Sequence, residues 1–391
     1  MSEFAIVVVG YNRINSMIRT LESARKADFL GDFVDLIISL DNSGNPSVKE
    51  AADMFEWPHG NKQVRLLPQR AGLKDHILSC GDFLENYDAI AVLEDDIIVA
   101  PGFYSYMKES VGCYGQNEQI AGISLYGFEW NPNYNAPFFP KKTKYDTYFM
   151  QYAQSWGQIW MKESFKRFKE WYENNKDCYD QPYDGTVPPA VYTWPKSSWL
   201  KFHIMYCVRE NKYFVFPYNS FSTNFTEKGE HYIAEQTRYQ VSLQHDVVRD
   251  FKFAPIDDGA KYDVYFENEE VYEFLDCLKS EVEIDIYGNK QIPADKKYFL
   301  SSQVLDYEIK KSFGLSLRPQ EDNIVFNTFG DNVFLYDLSK KAVNNKKKKE
   351  QISDKWNYYN REKFVMLDEA FPVAVPKFKN LFRTIFLKKN K

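Results

Sequence analysis

The sequence is poor in the residues that build disulfide frameworks and zinc sites, and it has no long apolar run. Five cysteines are scattered over 391 residues without a CxxC pair, and the five histidines form no HExxH or HxH group. This pattern argues against a disulfide scaffold and a zinc site, and it favours a reducing compartment. The apolar run of residues 5–9 is far shorter than the roughly 20 residues of a membrane span. We therefore expect a cytoplasmic protein that is neither secreted nor membrane-spanning.

Composition indicates a globular protein with a sizeable core and an uneven charge distribution. Apolar residues make up 44% of the chain and charged residues 27%, which excludes a collagenous or disordered protein. The net charge is −6, yet residues 340–391 hold 15 Lys and Arg against 5 Asp and Glu. Because the body of the chain is acidic, we expect no nucleic-acid partner. The basic tail, with an amphipathic pattern over residues 375–391, suits contact with an anionic membrane such as the inner face of the plasma membrane.

Strand and helix signals alternate over the first hundred residues. A continuous apolar, β-branched run predicts a buried parallel strand at 4–9, and further strands are expected at 33–40, 64–67 and 88–93. Helical periodicity lies between them, around residues 17–24, 48–55 and 74–84. Strands and helices at this spacing predict an α/β fold with a parallel sheet, and ligands are expected at the carboxyl ends of its strands.

Three consecutive acids, Glu94, Asp95 and Asp96, directly follow the strand at 88–93. Leaving three anions at the end of a core strand is costly unless a cation neutralises them. A hard divalent cation with oxygen ligands is the natural partner, especially one that also holds phosphate oxygens. On an extended segment, Glu94 and Asp96 would share one face and Asp95 the other.

The segment from Leu93 to Met107, LEDDIIVAPGFYSYM, resembles the metal-binding segment of the N-acetylglucosaminyltransferase I family of GT-A glycosyltransferases. Further segments resemble the family in the same order and together span residues 4 to 235: the opening strand and arginine-bearing turn at 4–20, ISLD at 38–41, Trp156-Gly157, Trp194-Pro195-Lys196 and Lys228-Gly229. The resemblance implies a GT-A fold, which is Rossmann-like with a mostly parallel sheet and flanking helices. It also implies sugar transfer from a UDP-sugar with Mn²⁺ or Mg²⁺.

The resemblance also implies roles for individual residues. Asp96 would bind the metal directly, and His231 would be a second metal ligand. Asp41 would accept from the uracil, while Glu94 and Asp95 would shape the metal shell and hold the ribose. The other residues expected to bind the nucleotide sugar are Gly10, Tyr11, Asn12, Arg13, Trp156 and Gly157.

The catalytic base is not identified by the resemblance. Where the inverting family places acids after a tryptophan, this chain has Leu200 and Lys201 after Trp199. An inverting transfer needs a general base within hydrogen-bond reach of the acceptor hydroxyl. The candidates are the loop acids Asp184, Glu129 and Asp180, and a retaining reaction without such a base stays open.

These observations predict a bacterial glycosyltransferase that acts in surface polysaccharide synthesis. A GT-A nucleotide-sugar-binding and catalytic domain is expected over residues 1–240, an accessory α+β region over 241–340, and the basic tail over 341–391. The acceptor would be a saccharide or a lipid-linked oligosaccharide, and inversion is favoured. The alternatives are a sugar nucleotidyltransferase and a carbohydrate-binding or scaffold protein without catalysis.

Overall fold

The computed structural model describes residues 3–225, 237–343, 354–355 and 357–359. Within these residues the chain forms 17 β-strands, eight α-helices and four short 3-10 turns. The strands are β1 (Phe4–Gly10), β2 (Asp35–Leu40), β3 (Lys62–Leu66), β4 (Ala89–Glu94), β5 (Ile97–Val99), β6 (Ile120–Ser124), β7 (Trp130–Asn131), β8 (Ala136–Pro137), β9 (Thr147–Met150), β10 (Gln158–Met161), β11 (Tyr213–Pro217), β12 (Ser222–Asn224), β13 (Lys261–Tyr262), β14 (Val282–Asp285), β15 (Tyr298–Ser301), β16 (Tyr307–Phe313) and β17 (Val333–Lys341). The helices are α1 (Ile14–Arg25), α2 (Pro46–Met54), α3 (Leu73–Cys80), α4 (Phe103–Tyr114), α5 (Lys162–Asn175), α6 (Pro189–Tyr192), α7 (Leu200–Arg209) and α8 (Asp322–Val325).

A nine-stranded sheet forms the centre of the molecule, in the order β13-β9-β11-β6-β10-β4-β1-β2-β3. Strands β3, β2, β1 and β4 run parallel to one another, and β10 is antiparallel to both of its neighbours. Five of the eight pairings in this sheet are parallel. The predicted α/β class with a mostly parallel central sheet is therefore confirmed.

Strand β1 shows why the opening run is continuously apolar. Ala5, Val7 and Val9 belong to the core on one side of the sheet. Phe4, Ile6 and Val8 belong to the core on the other side. Successive side chains of a strand point to opposite faces, so a strand buried on both faces cannot alternate apolar with polar residues.

A separate four-stranded sheet, in the order β14-β15-β17-β16, follows the central sheet along the chain. Its own core includes Val271, Leu300 and Leu335. Strand β13, the last strand of the central sheet, lies beyond the boundary expected at residue 240. The division into domains stays a prediction.

No helix within the described residues is long and apolar enough to cross a membrane. Of the tail expected over 341–391, the structure describes residues 341–343, 354–355 and 357–359. The amphipathic helix expected over 375–391 lies outside the described residues.

Candidate active site

The expected ligand edge of the sheet brings together residues from three parallel strands. Gly10 is the last residue of β1, Asp41 directly follows β2, and Glu94 is the last residue of β4. Parallel pairing places these three carboxyl ends side by side, as β1 lies between β2 and β4. Asp41 and Glu94, which the sequence singled out separately, therefore lie at the same edge of the sheet.

The acids Asp95 and Asp96 form a turn between β4 and β5, and Arg13 bridges them. The Arg13 Nε donates to Asp95 Oδ2 at 3.3 Å, and its Nη2 bonds Asp95 Oδ1 as well. The same Nη2 donates to Asp96 Oδ2 at 3.0 Å. The expectation that Asp95 would point away from Glu94 and Asp96 was therefore wrong. The strand ends at Glu94, and the turn that follows directs both aspartates to one guanidinium.

Glu94 is the last residue of β4, and its carboxyl group lies near the Trp199 side chain. Burial, followed by the charges of Asp96 and Asp95, raises the pKa of Glu94 to about 8. Burial also raises the pKa of Asp95 to about 6, although Arg13 opposes the shift. These four residues, Glu94, Asp95, Asp96 and Arg13, are called the edge cluster below.

The Asp41 carboxylate fixes the loop that follows β3. Its Oδ1 accepts from the Ala71 amide at 2.8 Å and from the Asn42 amide at 2.9 Å. Its Oδ2 accepts from the Gly72 amide at 2.9 Å, and the side chain is buried. A carboxylate offers about four lone-pair sites, so Asp41 retains capacity for another donor such as an imide N–H. Gly72 has φ +83°, a backbone conformation that glycine adopts without strain.

Gly10, Tyr11 and Asn12 line the same edge above α1. A β-carbon on Gly10 would lie 3.0 Å from the Met17 Sδ and 3.1 Å from a Leu40 methyl, so both side chains would have to shift by a few tenths of an ångström to admit it. The Arg70 guanidinium lies over the Tyr11 ring, 4.9 Å from its centroid. Asn12 Oδ1 accepts from Asn45 Nδ2 at 3.1 Å.

Trp156 and Gly157 lie immediately before β10, the strand that borders β4. Gln158 pairs with Val92 in the antiparallel register, which brings the preceding tryptophan toward the end of β4. The half-buried Trp156 ring stacks on Tyr239 at 5.0 Å and 29°. Gly157 has φ +96°, and its carbonyl accepts from Gln154 Nε2 at 2.8 Å.

The three acids considered as catalytic base occupy different places. Asp184 pairs with Arg209 at 3.6 Å, and its side chain is 51% exposed. Arg209 is the last residue of α7. Asp180 pairs with Lys196 at 2.5 Å, and Glu129 is exposed after β6.

His231, the expected second metal ligand, lies outside the described residues.

The edge cluster fits a divalent cation in its chemistry and its charge. Three carboxylates face one guanidinium, which leaves negative charge at a half-buried site. Hard carboxylate oxygens suit Mn²⁺ and Mg²⁺. Among the described residues, no three His, Cys, Asp or Glu side chains converge as a ready-made metal site. Asp96 would therefore hold the ion with substrate phosphates and water as further ligands, and its side chain is 28% exposed.

Several residues that build this edge were not singled out from the sequence as part of it. The Ala71 and Gly72 amides and Arg70 come from the loop after β3. Since β3 is also parallel to β2, its carboxyl end reaches the same edge, and this signal was available in the strand pattern. The proximity of Trp199 to Glu94 had no such signal, because the two positions are far apart in sequence.

Comparisons with known proteins found distant structural likenesses. No protein-family model matches the chain, and no curated protein matches it. Part of the chain is similar to the mannosyltransferase PcManGT from Pyrobaculum calidifontis in complex with GDP-Man and Mn²⁺, at 11% identity and a TM-score of 0.31, covering 42% of this chain and 46% of that one. It is also similar to S. aureus TarS 1-349, at 11% identity and a TM-score of 0.35, covering 57% and 60% of the two chains. A third similar structure is GalNAc-T7 with UDP, GalNAc and Mn²⁺, at 15% identity and a TM-score of 0.39, covering 56% and 42%. The chain thus spans about half the length of these proteins.

Proposed function

We propose that this protein is a metal-dependent glycosyltransferase of GT-A fold that transfers a sugar from a UDP-sugar to a saccharide acceptor. The observation that carries the proposal is the edge cluster. Three consecutive acids stand at the end of the buried parallel strand β4, with one guanidinium between the two aspartates, and Asp41 follows β2, two strands away at the same edge. A nucleoside diphosphate bound together with a divalent cation matches this edge. The cation supplies positive charge, and the base supplies hydrogen-bond donors.

Each residue of the edge has a role in the proposal. Asp41 orients the uracil by accepting its imide N–H, and Asp96 holds the cation. Glu94 and Asp95 shape the metal shell and hold the ribose, and Arg13 faces the phosphates from the opposite side. A divalent cation, when bound, supplies Lewis-acid neutralisation of the leaving diphosphate. The general base of an inverting reaction stays a prediction among Asp184, Glu129 and Asp180.

The finer parts of the proposal concern donor, acceptor and location. The resemblance to the N-acetylglucosaminyltransferase I family supports an N-acetylhexosamine or hexose donor and inversion. We propose a cytoplasmic enzyme of bacterial surface polysaccharide synthesis, held to an anionic membrane by its basic tail. Sedimentation with anionic liposomes tests the tail: a chain truncated before Val375 should lose binding, and equal sedimentation of both forms contradicts the membrane contact.

Calorimetric titration of UDP into the purified protein, with and without Mn²⁺, tests the donor site. Micromolar binding that EDTA removes is expected. GDP is the matched ligand that shares the diphosphate but not the uracil. CMP has a single phosphate and no imide N–H, whereas dTDP keeps the imide N–H on a methylated base. Binding of none of the four nucleotides in Mn²⁺ contradicts a nucleotide-sugar enzyme, and tighter binding of GDP or CMP than of UDP contradicts the role of Asp41. A panel of UDP-sugars in a hydrolysis assay then identifies the donor.

A further inference from the structure

The segment between β9 and β10, residues 151–157, is largely buried although it belongs to no helix or strand. Buried backbone N–H and C=O groups need hydrogen-bond partners, and here a side chain provides them. Gln154 is 1% exposed; its Oε1 accepts from the Trp156 amide, and its Nε2 donates to the Gly157 carbonyl at 2.8 Å. An amide N–H only donates and a carbonyl only accepts, so these two bonds fix the orientation of the Gln154 amide. Trp156 and Gly157 are called the tryptophan turn below.

Gln154 connects the tryptophan turn to the central sheet. Its Nε2 also donates to the hydroxyl of Ser124, the last residue of β6, at 2.6 Å. The Gln158 side chain, from β10, donates to the Gln154 carbonyl. On the other side of the turn, the Ser222 hydroxyl of β12 donates to the Trp156 carbonyl. The turn is therefore held by polar contacts to three strands, and Gln154 makes two of the contacts to its backbone.

The order of the strands places the tryptophan turn at one end of the proposed donor site. Asp41 follows β2, Asp96 comes shortly after β4, and β10 is the next strand beyond β4. Gln158, the first residue of β10, pairs with Val92 near the end of β4, so the turn lies at the same edge of the sheet. A nucleotide sugar is a linear succession of base, ribose, diphosphate and sugar. With the base at Asp41 and the diphosphate at a cation on Asp96, the sugar extends toward β10.

The Trp156 ring is held by its neighbours but stays partly accessible. It packs on Tyr126 at 4.7 Å and on Tyr239 at 5.0 Å between centroids, and it contacts the cores on both faces of the sheet. An aromatic ring fixed in this way offers a rigid apolar surface, which suits the C–H face of a sugar.

We propose that Gln154 is a positioning residue that fixes the tryptophan turn through backbone hydrogen bonds, so that the Trp156 ring forms the wall against which the donor sugar packs. The inference deepens the proposed function and rests on it. Without the Gln154 amide, two backbone groups of the turn lose a partner, and the ring is no longer fixed relative to the end of β4.

The effect of Gln154 on the turn is tested without any ligand. In a ¹⁹F spectrum of the full chain labelled with 5-fluorotryptophan, the Trp156 resonance is assigned by its loss in Trp156→Phe. Gln154→Met keeps the length of the side chain and removes both hydrogen-bonding groups, and it should shift this resonance. Asn323→Ala is the matched control, because it removes another buried amide, on α8, with its own hydrogen bonds to the Ser316 amide and the Gln320 carbonyl. It should leave the Trp156 resonance unchanged.

A Trp156 resonance that stays in place in Gln154→Met overturns the inference, whether or not a nucleotide sugar binds. If Gln154→Met does not fold, Gln154→Asn takes its place, since it keeps a buried amide but withdraws it from the turn by one methylene. The same shift is expected in this variant, and its absence overturns the inference equally.

The positioning role is tested by comparing a UDP-sugar with UDP. UDP-GlcNAc, UDP-GalNAc, UDP-glucose and UDP-galactose are titrated into the wild type in Mn²⁺, and the tightest binder is used for the variants. Gln154→Met should weaken its binding about 10-fold, the size of one lost aromatic contact, and should change UDP affinity less than about twofold. The base and the diphosphate keep their contacts at β2 and β4, which explains the difference. Asn323→Ala should change neither affinity. Equal losses for UDP and the UDP-sugar, or no loss for the UDP-sugar, overturn the inference.

A double-mutant cycle shows whether Gln154 acts through the ring. Trp156→Ala should give a loss of UDP-sugar affinity at least as large as that of Gln154→Met, and Gln154→Met should cause no further loss in the Trp156→Ala background. Full additivity overturns the inference. Absence of UDP and UDP-sugar binding by the wild type contradicts the proposed function instead, and the ¹⁹F spectrum still reports on the tryptophan turn.

Discussion

Two acidic clusters lie inside this molecule, and they are neutralised in different ways. The edge cluster has three carboxylates and Arg13. The second, called the seam cluster here, lies where the central sheet meets the four-stranded sheet. Its members are Asp263, Glu267, Glu283, Asp285, Lys290 and Lys355.

The seam cluster carries its own cations and many internal hydrogen bonds. Lys290 pairs with both Asp263 and Glu283. Asp285 is fully buried and accepts from the Lys290 amide at 2.9 Å, the Ser301 hydroxyl at 2.7 Å and Gln303 Nε2 at 2.8 Å. A buried carboxylate that accepts several hydrogen bonds from its own chain is typical of a structural network.

The comparison shows that exposure and internal hydrogen bonding distinguish the two clusters, since each holds two more acids than basic side chains. Asp96 in the edge cluster is partly exposed and shares Arg13 with Asp95. Asp285 in the seam cluster is inaccessible and surrounded by donors from its own chain. Of these two carboxylates, Asp96 is the one that a cation from solution can reach.

Asp96→Ala should give the largest effect and should act on binding alone. Removing the proposed metal ligand should reduce Mn²⁺-dependent UDP affinity at least about 100-fold, or about 2.7 kcal/mol. The melting temperature should change little, since the side chain is partly exposed at a turn. Calorimetry and thermal unfolding on the same preparation measure both quantities. Unchanged UDP affinity would place the metal site elsewhere.

Asp285→Ala should show the reverse pattern. The change leaves buried donors from Ser301 and Gln303 without their acceptor, and we expect a loss of about 3 to 4 kcal/mol in the free energy of unfolding. The UDP affinity of the folded fraction should stay the same. Urea denaturation measures the loss, with Asp285→Asn as a milder control that keeps the shape of the side chain. A stable Asp285→Ala protein with weakened UDP binding would erase the contrast between the clusters.

Low pH should reduce the free energy of unfolding through His76. This buried side chain on α3 shares a hydrogen bond of 2.7 Å with the Ser39 hydroxyl, and burial lowers its pKa to about 4. Because the folded pKa lies below the ordinary value of 6.5, the unfolded chain binds more protons between these two values. The stabilisation is present above pH 6.5 and is lost as the pH falls toward 4, by at most about 3 kcal/mol. The difference in unfolding free energy between wild type and His76→Gln should shrink over this range. A difference that stays constant contradicts the assignment.

The strand pattern predicted the location of the edge cluster, because apolar runs that end in Asp41 and Glu94 must bring their carboxyl ends to one edge of a parallel sheet. It did not predict which groups touch. The turn at Asp95 redirects a side chain that an extended backbone would point away, and the proximity of Trp199 to Glu94 depends on tertiary packing. The seam cluster was missed entirely, since its acids and lysines are scattered between residues 263 and 355 and form no local motif.

Lys355 gives the last and smallest test of the comparison. In the sequence it is one charge of a basic tail, yet the structure buries its ammonium at the seam cluster, where it donates to the Ser302 hydroxyl at 2.8 Å. It lies near Glu267, whose Oε2 has no hydrogen-bond partner within the described residues. Lys355→Met keeps most of the volume but removes the charge, and we expect a loss of about 2 kcal/mol in the free energy of unfolding. Lys340→Met, at an exposed ion pair with Glu308, is the matched control and should cost less than about 1 kcal/mol. Equal losses in the two variants would mean that the seam cluster does not need this lysine as a counter-ion, and that its hydrogen bonds alone are enough to stabilise its buried acids.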